Sequence, residues 1–166
     1  MIKPGDKVGI ICCSNGQKRS CMTKIKYLED TLLKMGIYVL FSDCIYEKEN
    51  NHGDAEKERA QALMELYTDE GIKGIFDISG GDIANGILPY LDYGIIADSP
   101  KLFWGYSDLT TVINAIYSKT GKESVLYQIR NLIYENREEQ TANFKNTVMD
   151  GGNDLFRINC RFIQQT

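Results

Sequence analysis

The sequence predicts an α/β fold with a doubly wound, mostly parallel sheet and helices on both of its faces. Short apolar runs alternate with amphipathic helical segments, and the runs are almost continuous in their hydrophobicity. Continuous apolar strands are typical of a sheet that is covered on both faces. The runs also end in turns rich in glycine and serine. In such sheets ligands bind at the carboxyl ends of the strands, so we expect a functional site among these turns.

Four apolar runs predict the strands, and they span residues 7–13, 37–41, 72–78 and 102–104. Apolar residues at helical spacing predict the intervening helices. In the segment after the third run, Pro89 lacks a backbone donor, so we expect that helix to kink or split.

Beyond Gly121 the pattern weakens, although residues 135–149 predict a helix and residues 154–164 alternate like a strand. We therefore divide the chain into an amino-terminal α/β domain, residues 1–121, and a tail, residues 122–166.

The composition excludes several classes of function. The 166 residues carry a net charge of −4, whereas a nucleic-acid surface needs a basic patch, so no nucleic-acid partner is expected. No stretch is long and apolar enough to cross a bilayer, and no signal sequence is recognisable, so we predict no membrane association and a cytoplasmic location. The five cysteines form no C-x-x-C motif and are interpreted as buried free thiols. No pattern predicts a cofactor or a metal site.

The fourth run leads into the first candidate site. A Gly-Tyr-Ser-Asp segment occupies 105–108, and helical spacing begins immediately afterwards with Leu109. Ser107 therefore lies on a sharp strand-to-helix turn, which is the geometry of a nucleophile elbow. The elbow of α/β-hydrolases has glycine where this chain has Leu109. The alternative is that Ser107 or Asp108 only caps the helix.

A second candidate site follows the third run, in Ser-Gly-Gly-Asp at residues 79–82. Two glycines at the end of a strand expose backbone N–H groups, which can hold a phosphate or an oxyanion. The alternative is a tight turn that requires a positive φ. Asp82 disfavours a permanently bound phosphate because two anions repel each other, but it tolerates an oxyanion that exists only in a transition state.

His52 is the single histidine of the chain. It lies in the loop after the second strand, at the same edge of the sheet as Ser107, and is therefore a candidate general base. The alternative is a solvated loop histidine among asparagines.

Six segments together carry a family resemblance. They are residues 4–10, 79–82, 88–93, 99–101, 105–110 and 119–121. This combination resembles the LD-carboxypeptidase family of serine peptidases, which contains murein tetrapeptide carboxypeptidases and microcin C self-immunity peptidases.

The resemblance implies that Ser107 is the nucleophile and that the backbone N–H groups of Asp108 and Gly81 form the oxyanion hole. It implies acyl transfer at an amide bond of a small peptide, either a murein LD-tetrapeptide or a microcin-like conjugate. In the family the base histidine and its glutamate come from a carboxy-terminal domain. We expect that domain to be absent here, the chain to be inactive alone, and the uncovered surface to cause self-association, for example as a homodimer.

Two other classes remain open at this point. One is a flavodoxin-like module in which residues 14–16 and 79–81 bind a phosphate or nucleotide without catalysis. The other is a non-catalytic remnant that serves only in assembly. The absence of a basic residue beside Gly80 and Gly81 disfavours the phosphate-binding module.

Overall fold

A computed structural model describes residues 1–47 and 55–152 of the chain. Within these ranges the strands are β1 Lys7–Ile11, β2 Tyr38–Phe41, β3 Ile72–Asp77, β4 Phe103–Gly105 and β5 Val125–Leu126. They form one sheet in the order β2-β1-β3-β4-β5, and every pairing is parallel. The predicted doubly wound parallel sheet is thus confirmed, and its first four strands lie where the apolar runs predicted them.

Helices connect consecutive strands. The α-helices of the described residues are α1 Met22–Lys34, α2 Ala55–Thr68, α3 Tyr93–Asp98, α4 Thr110–Thr120 and α5 Arg137–Phe144. Short 3-10 helices span Arg19–Cys21, Ala84–Tyr90, Ser107–Leu109 and Ile129–Ile133, and a π-helical turn spans Lys145–Met149. None of the helices in this part of the chain is long and apolar enough to cross a bilayer.

Both faces of the sheet are covered, as the continuous apolar strands predicted. One hydrophobic core joins α1 and α5 to the sheet, with Leu28 and Phe144 packed near Phe76. The other core joins α2, α3 and α4 to the opposite face, with Leu63 and Ile116 buried there. Because both faces are dry, polar chemistry is confined to the ends of the strands.

Pro89 splits the segment after β3, as predicted. The 3-10 helix Ala84–Tyr90 contains the proline, and α3 begins separately after Asp92. The carboxylate of Asp92 accepts hydrogen bonds from the N–H groups of Gly94 and Ile95, so it supplies the N-cap of this new helix.

Residues 125–149 of the predicted tail complete the sheet and its core. Val125 pairs with Trp104, and Leu126 pairs with Gly105. The side chain of Phe144 is fully buried. The sequence did not indicate β5, because two residues are too few to show a periodicity. The predicted strand over 154–164 lies outside the described residues.

Lys101 fixes the start of β4. Its Nζ donates hydrogen bonds to the carbonyl oxygens of Leu66 at 2.9 Å, Tyr67 at 2.6 Å and Asp69 at 2.7 Å. The carbonyls of Leu66 and Tyr67 lie in the last turn of α2 and have no partner within the helix, and Asp69 directly follows it, so a cation there is favourable. Burial lowers the pKa of Lys101. The strand that leads to Ser107 is therefore tied to the helix beside it.

Candidate active site

Ser107 occupies a strained backbone conformation at the carboxyl end of β4. Tyr106 is still extended, with φ −147° and ψ 161°, whereas Ser107 has φ 65°. This left-handed region costs an L-residue about 1–2 kcal/mol. The Ser107 side chain is exposed and makes no hydrogen bond to any residue that the structure describes. The predicted sharp, strained turn is therefore confirmed.

The capping alternative for this turn is wrong. Tyr106 precedes the 3-10 helix and Leu109 precedes α4, and neither start has a side-chain cap. Instead Gly105 and Leu109, on either side of the turn, are in close contact. A Cβ on Gly105 would lie only 2.8 Å from Leu109 Cβ. Leu109, which stands where α/β-hydrolases have glycine, is fully buried. Close packing between Gly105 and Leu109 therefore supports the exposed, strained serine between them.

Gly81 requires glycine for two separate reasons. Its φ of 153° is rarely adopted by other residues. A Cβ at this position would also lie 2.6 Å from Asn15 Cγ and 2.9 Å from Ser14 Oγ. The predicted positive-φ turn is confirmed, and the Gly81 N–H has no acceptor among the described residues. A backbone donor is thus left available at the carboxyl end of β3.

The side chain of Asp108 joins the loops that follow β1, β3 and β4. Its Oδ2 accepts a hydrogen bond from Ser14 Oγ at 2.5 Å and another from the Ala84 N–H at 3.3 Å. Its Oδ1 is buried without a partner in the described part of the chain. Because Ser14 also touches Gly81, the structure brings the Gly81 and Asp108 segments to one place. The N–H of Asp108 lies in the first turn of a helical segment, where backbone donors have no partner within the helix.

The buried carboxylate of Asp77 connects the ends of β1 and β3 next to this site. Asp77 Oδ2 accepts from the Cys13 N–H at 2.7 Å, while Oδ1 accepts from the N–H and Oγ of Ser79 at 2.6 and 2.5 Å. Ser79 Oγ in turn accepts from the Ser14 N–H at 3.1 Å. Asp77 is 1% exposed, and burial raises its pKa. These hydrogen bonds link β1 and β3 at the ends that carry the site.

Sequence analysis missed Asp77, and it named Ser14 and Ser79 only as members of candidate phosphate- or oxyanion-binding turns, without the side-chain hydrogen bonds that they make. A weak signal was present, because an aspartate followed two residues later by serine is typical of an Asx turn. That signal indicates the local turn, but it does not indicate the partner on β1. The loop after β5 was missed as well, although Gln128 Nε2 donates to the Ser79 carbonyl at 3.3 Å.

The buried cysteines beside the site are unsuited to nucleophilic chemistry. Burial raises the thiol pKa of both Cys12 and Cys13, so neither forms a thiolate readily. Cys12, Cys13 and Cys44 are buried, as predicted, whereas Cys21 is only half-buried. Cys160 lies outside the described residues. No group of three histidine, cysteine, aspartate or glutamate residues within 1–47 and 55–152 is placed to hold a metal ion.

The candidate base His52 lies outside the described residues, so its approach to Ser107 stays a prediction. The described site therefore contains a strained exposed serine and two backbone segments joined through Ser14. Such a set can attack a carbonyl and stabilise the resulting oxyanion once a base removes the serine proton.

Comparison with protein families matches residues 8–127 to the LD-carboxypeptidase N-terminal domain. The microcin C7 self-immunity protein MccF of Escherichia coli is 48% identical over 65 residues, which are 39% of this chain and 19% of that protein. A probable murein peptide carboxypeptidase of Bacillus subtilis (strain 168) is 29% identical over 121 residues, 72% of this chain and 37% of that protein. The chain thus spans little more than a third of the length of such relatives.

Solved structures show the same fold. The apo structure of the microcin C7 self-immunity protein MccF superposes with a TM-score of 0.74 at 25% identity, covering 89% of this chain and 45% of that chain. The same protein has been solved in complex with aspartyl sulfamoyl adenosine.

Proposed function

Because the chain belongs to the LD-carboxypeptidase family through its amino-terminal domain, we propose that it supplies the nucleophile half of a serine carboxypeptidase. The observation that carries this proposal is the positive φ of the exposed Ser107. Strain at an exposed serine is typical of functional sites, where the surrounding structure enforces it. The alternative phosphate-binding module is disfavoured further, because the Asp108 carboxylate contacts the end of the same loop through the Ala84 N–H.

The reaction is acyl transfer. Ser107 Oγ attacks the carbonyl carbon of an amide, and its proton passes to a base. The N–H groups of Asp108 and Gly81 donate to the oxyanion of the tetrahedral intermediate. The carbon–nitrogen bond then breaks, the amine leaves with the proton, and water hydrolyses the serine ester to release the acid.

The substrate is a short peptide or an acyl conjugate of one amino acid. The similarity to a murein peptide carboxypeptidase supports a murein LD-tetrapeptide. The similarity to MccF, which was solved with aspartyl sulfamoyl adenosine, supports a microcin-like conjugate. In both compounds the bond to be cut joins an acyl carbon to nitrogen, so the same serine chemistry applies to both. The acidic composition and free cysteines support a cytoplasmic place for this reaction.

A base from outside the described residues completes the mechanism. A neutral serine hydroxyl is a weak nucleophile. By the family resemblance, the base histidine and its glutamate belong to a carboxy-terminal domain. The chain alone is then nearly inactive and becomes active when that domain is supplied.

The first prediction is therefore a very low rate of hydrolysis by the chain alone. Adding a separately produced carboxy-terminal domain of a family member is expected to raise the rate about 10²–10⁴-fold, the usual contribution of a general base. Chromatographic release of the terminal residue from an LD-tetrapeptide, and of aspartate from aspartyl sulfamoyl adenosine, measures the rate and separates the two substrates. The carboxy-terminal domain without this chain is the control.

Two results would contradict this assignment. Full turnover by the chain alone, abolished by His52→Ala, would place the base within this sequence. Equal turnover with and without Ser107 would show that the serine is not the nucleophile.

The second prediction is self-association. Interfaces between domains bury about 600–1,500 Å², and an uncovered apolar surface or strand edge favours pairing with another copy. Among the strands that the structure describes, β5 lies at an edge of the sheet, and Leu126 on it is 58% exposed. Light scattering over a concentration series should show a mass that rises with concentration. Leu126→Lys should weaken the association, whereas Leu33→Lys, at a residue 51% exposed on α1, is the matched control. A monomer at every concentration would contradict the prediction.

A further inference from the structure

The side chain of Ser14 lies between the two proposed oxyanion segments. It is fully buried in the loop that leaves β1. Its Oγ donates to Asp108 Oδ2 at 2.5 Å, and the same oxygen lies 2.9 Å from the position that a Cβ on Gly81 would occupy. Its N–H is held by Ser79 Oγ at 3.1 Å. Ser14 is therefore fixed by its backbone and in contact with both loops through its hydroxyl.

We propose that Ser14 is a positioning residue that sets the Gly81 and Asp108 N–H groups at the separation an oxyanion requires. This inference rests on the proposed function, because the shared ligand of the two N–H groups is the oxyanion of acyl transfer. Ser14 itself does not touch the substrate. It acts through Asp108 on one side and through the packing of Gly81 on the other.

The two donors need such a connection because they come from different loops. The loop after β3 contains two adjacent glycines, and a Cβ on Gly80 would meet nothing within 4 Å. Glycine is conformationally permissive, so this loop does not fix itself. Oxyanion donors are effective only within about 2.7–3.1 Å of the oxygen, and a misplacement of about 1 Å costs roughly 10²-fold in rate.

Asp108 provides the other half of the connection. Its Oδ2 accepts both Ser14 Oγ and the Ala84 N–H, and Ala84 begins the helix directly after the glycine loop. The loop is thus held by Ser79 at its start and by Asp108 at its end. Hydrogen bonds to a carboxylate are shorter and stronger than neutral ones, so the Ser14 bond can resist movement of either segment.

The test compares Ser14→Ala with the wild-type chain and with Ser118→Ala, an exposed serine on α4 that serves as a matched control. Two-dimensional NMR of the chain reports the amide resonances of Gly81 and Asp108 without any reaction. The affinity of a peptide boronate tests the oxyanion position. Ser107 Oγ forms a bond to boron and its proton passes to solvent. A boronate oxygen then occupies the position of the oxyanion. Ser14→Cys keeps the side-chain volume with a much weaker donor, and it is used if Ser14→Ala does not fold.

We expect Ser14→Ala to shift both amide resonances and to weaken boronate binding about 10–100-fold. With the carboxy-terminal domain supplied, kcat per folded molecule should fall by a similar factor while KM changes little, whereas general destabilisation would lower only the folded fraction, which urea denaturation measures. Ser118→Ala should leave every readout unchanged. The inference would be overturned if Ser14→Ala bound the boronate with wild-type affinity and left the amide resonances of Gly81 and Asp108 unshifted. If the wild-type chain never binds boronate but Ser14→Ala moves both amides, the connection stands and the proposed function fails.

Discussion

Replacing Ser107 by glycine is expected to abolish hydrolysis and, at the same time, to stabilise the chain. A left-handed φ costs an L-residue about 1–2 kcal/mol, and glycine does not bear this cost. Glycine loses about 0.5–1 kcal/mol more than alanine through its greater freedom in the unfolded state. The free energy of unfolding should therefore rise by roughly 0.5–1 kcal/mol in Ser107→Gly.

Ser107→Ala is the matched variant, because it removes the same hydroxyl but keeps the strained Cβ. With the carboxy-terminal domain supplied, both variants should lose about 10⁴-fold or more in kcat. Only the glycine variant should gain stability, which urea denaturation of the chain by itself measures. Equal stability of the two variants would show that the turn is not strained, and retained activity in either would exclude Ser107 as the nucleophile.

Together the two variants would separate strain from chemistry. A serine that is kept where glycine is more stable indicates that function, rather than folding, selects the residue. The strain is enforced by neighbours that remain in both variants, since Leu109 and Gly105 pack against each other on either side of the turn.

Replacing Asp77 by alanine is expected to lower the free energy of unfolding by about 2–5 kcal/mol. Asp77 accepts three hydrogen bonds, from the Cys13 N–H and from the N–H and Oγ of Ser79. Its removal leaves two buried backbone donors without acceptors, each at a cost of about 1–3 kcal/mol. Chemical denaturation measures the loss, and Asp98→Ala, at an exposed aspartate at the end of α3, is the control. A loss below about 1 kcal/mol would mean that water replaces the carboxylate.

The ionisation of Asp77 adds a pH dependence of defined sign. Burial raises the pKa of this carboxyl above its ordinary value of 3.8, so the folded state binds the proton more tightly than the unfolded state does. The resulting contribution to stability is fully present below the ordinary pKa and is lost as the pH rises through the raised pKa. The difference in unfolding free energy between the wild-type chain and Asp77→Asn should therefore shrink as the pH rises above the ordinary pKa of 3.8. A difference that grows with pH would show that the hydrogen bonds outweigh burial.

Sequence patterns predicted the elements that depend on local chemistry. Four apolar runs gave four strands, Pro89 divided the segment after β3, and Gly121 ended α4 with φ 71°. Helical spacing that begins directly after an apolar run placed Ser107 on the turn. β5 was missed because a strand of two residues carries no period and forms only where β4 offers an edge.

Hydrophobic period and glycine content are local properties, so they were enough to predict the fold class and the two turns at which chemistry is expected. Tertiary structure alone decided how those turns meet. Cys13 and Asp77 are 64 residues apart and Ser14 and Asp108 are 94 apart, yet each pair forms a hydrogen bond. No local pattern specifies such a partner, since a buried carboxylate is satisfied by whichever donors the packed strands bring to it. The choice between a cap and a strained elbow at Ser107 was decided in the same way, by the contact of Leu109 with Gly105 and by the hydrogen bonds that hold Asp108.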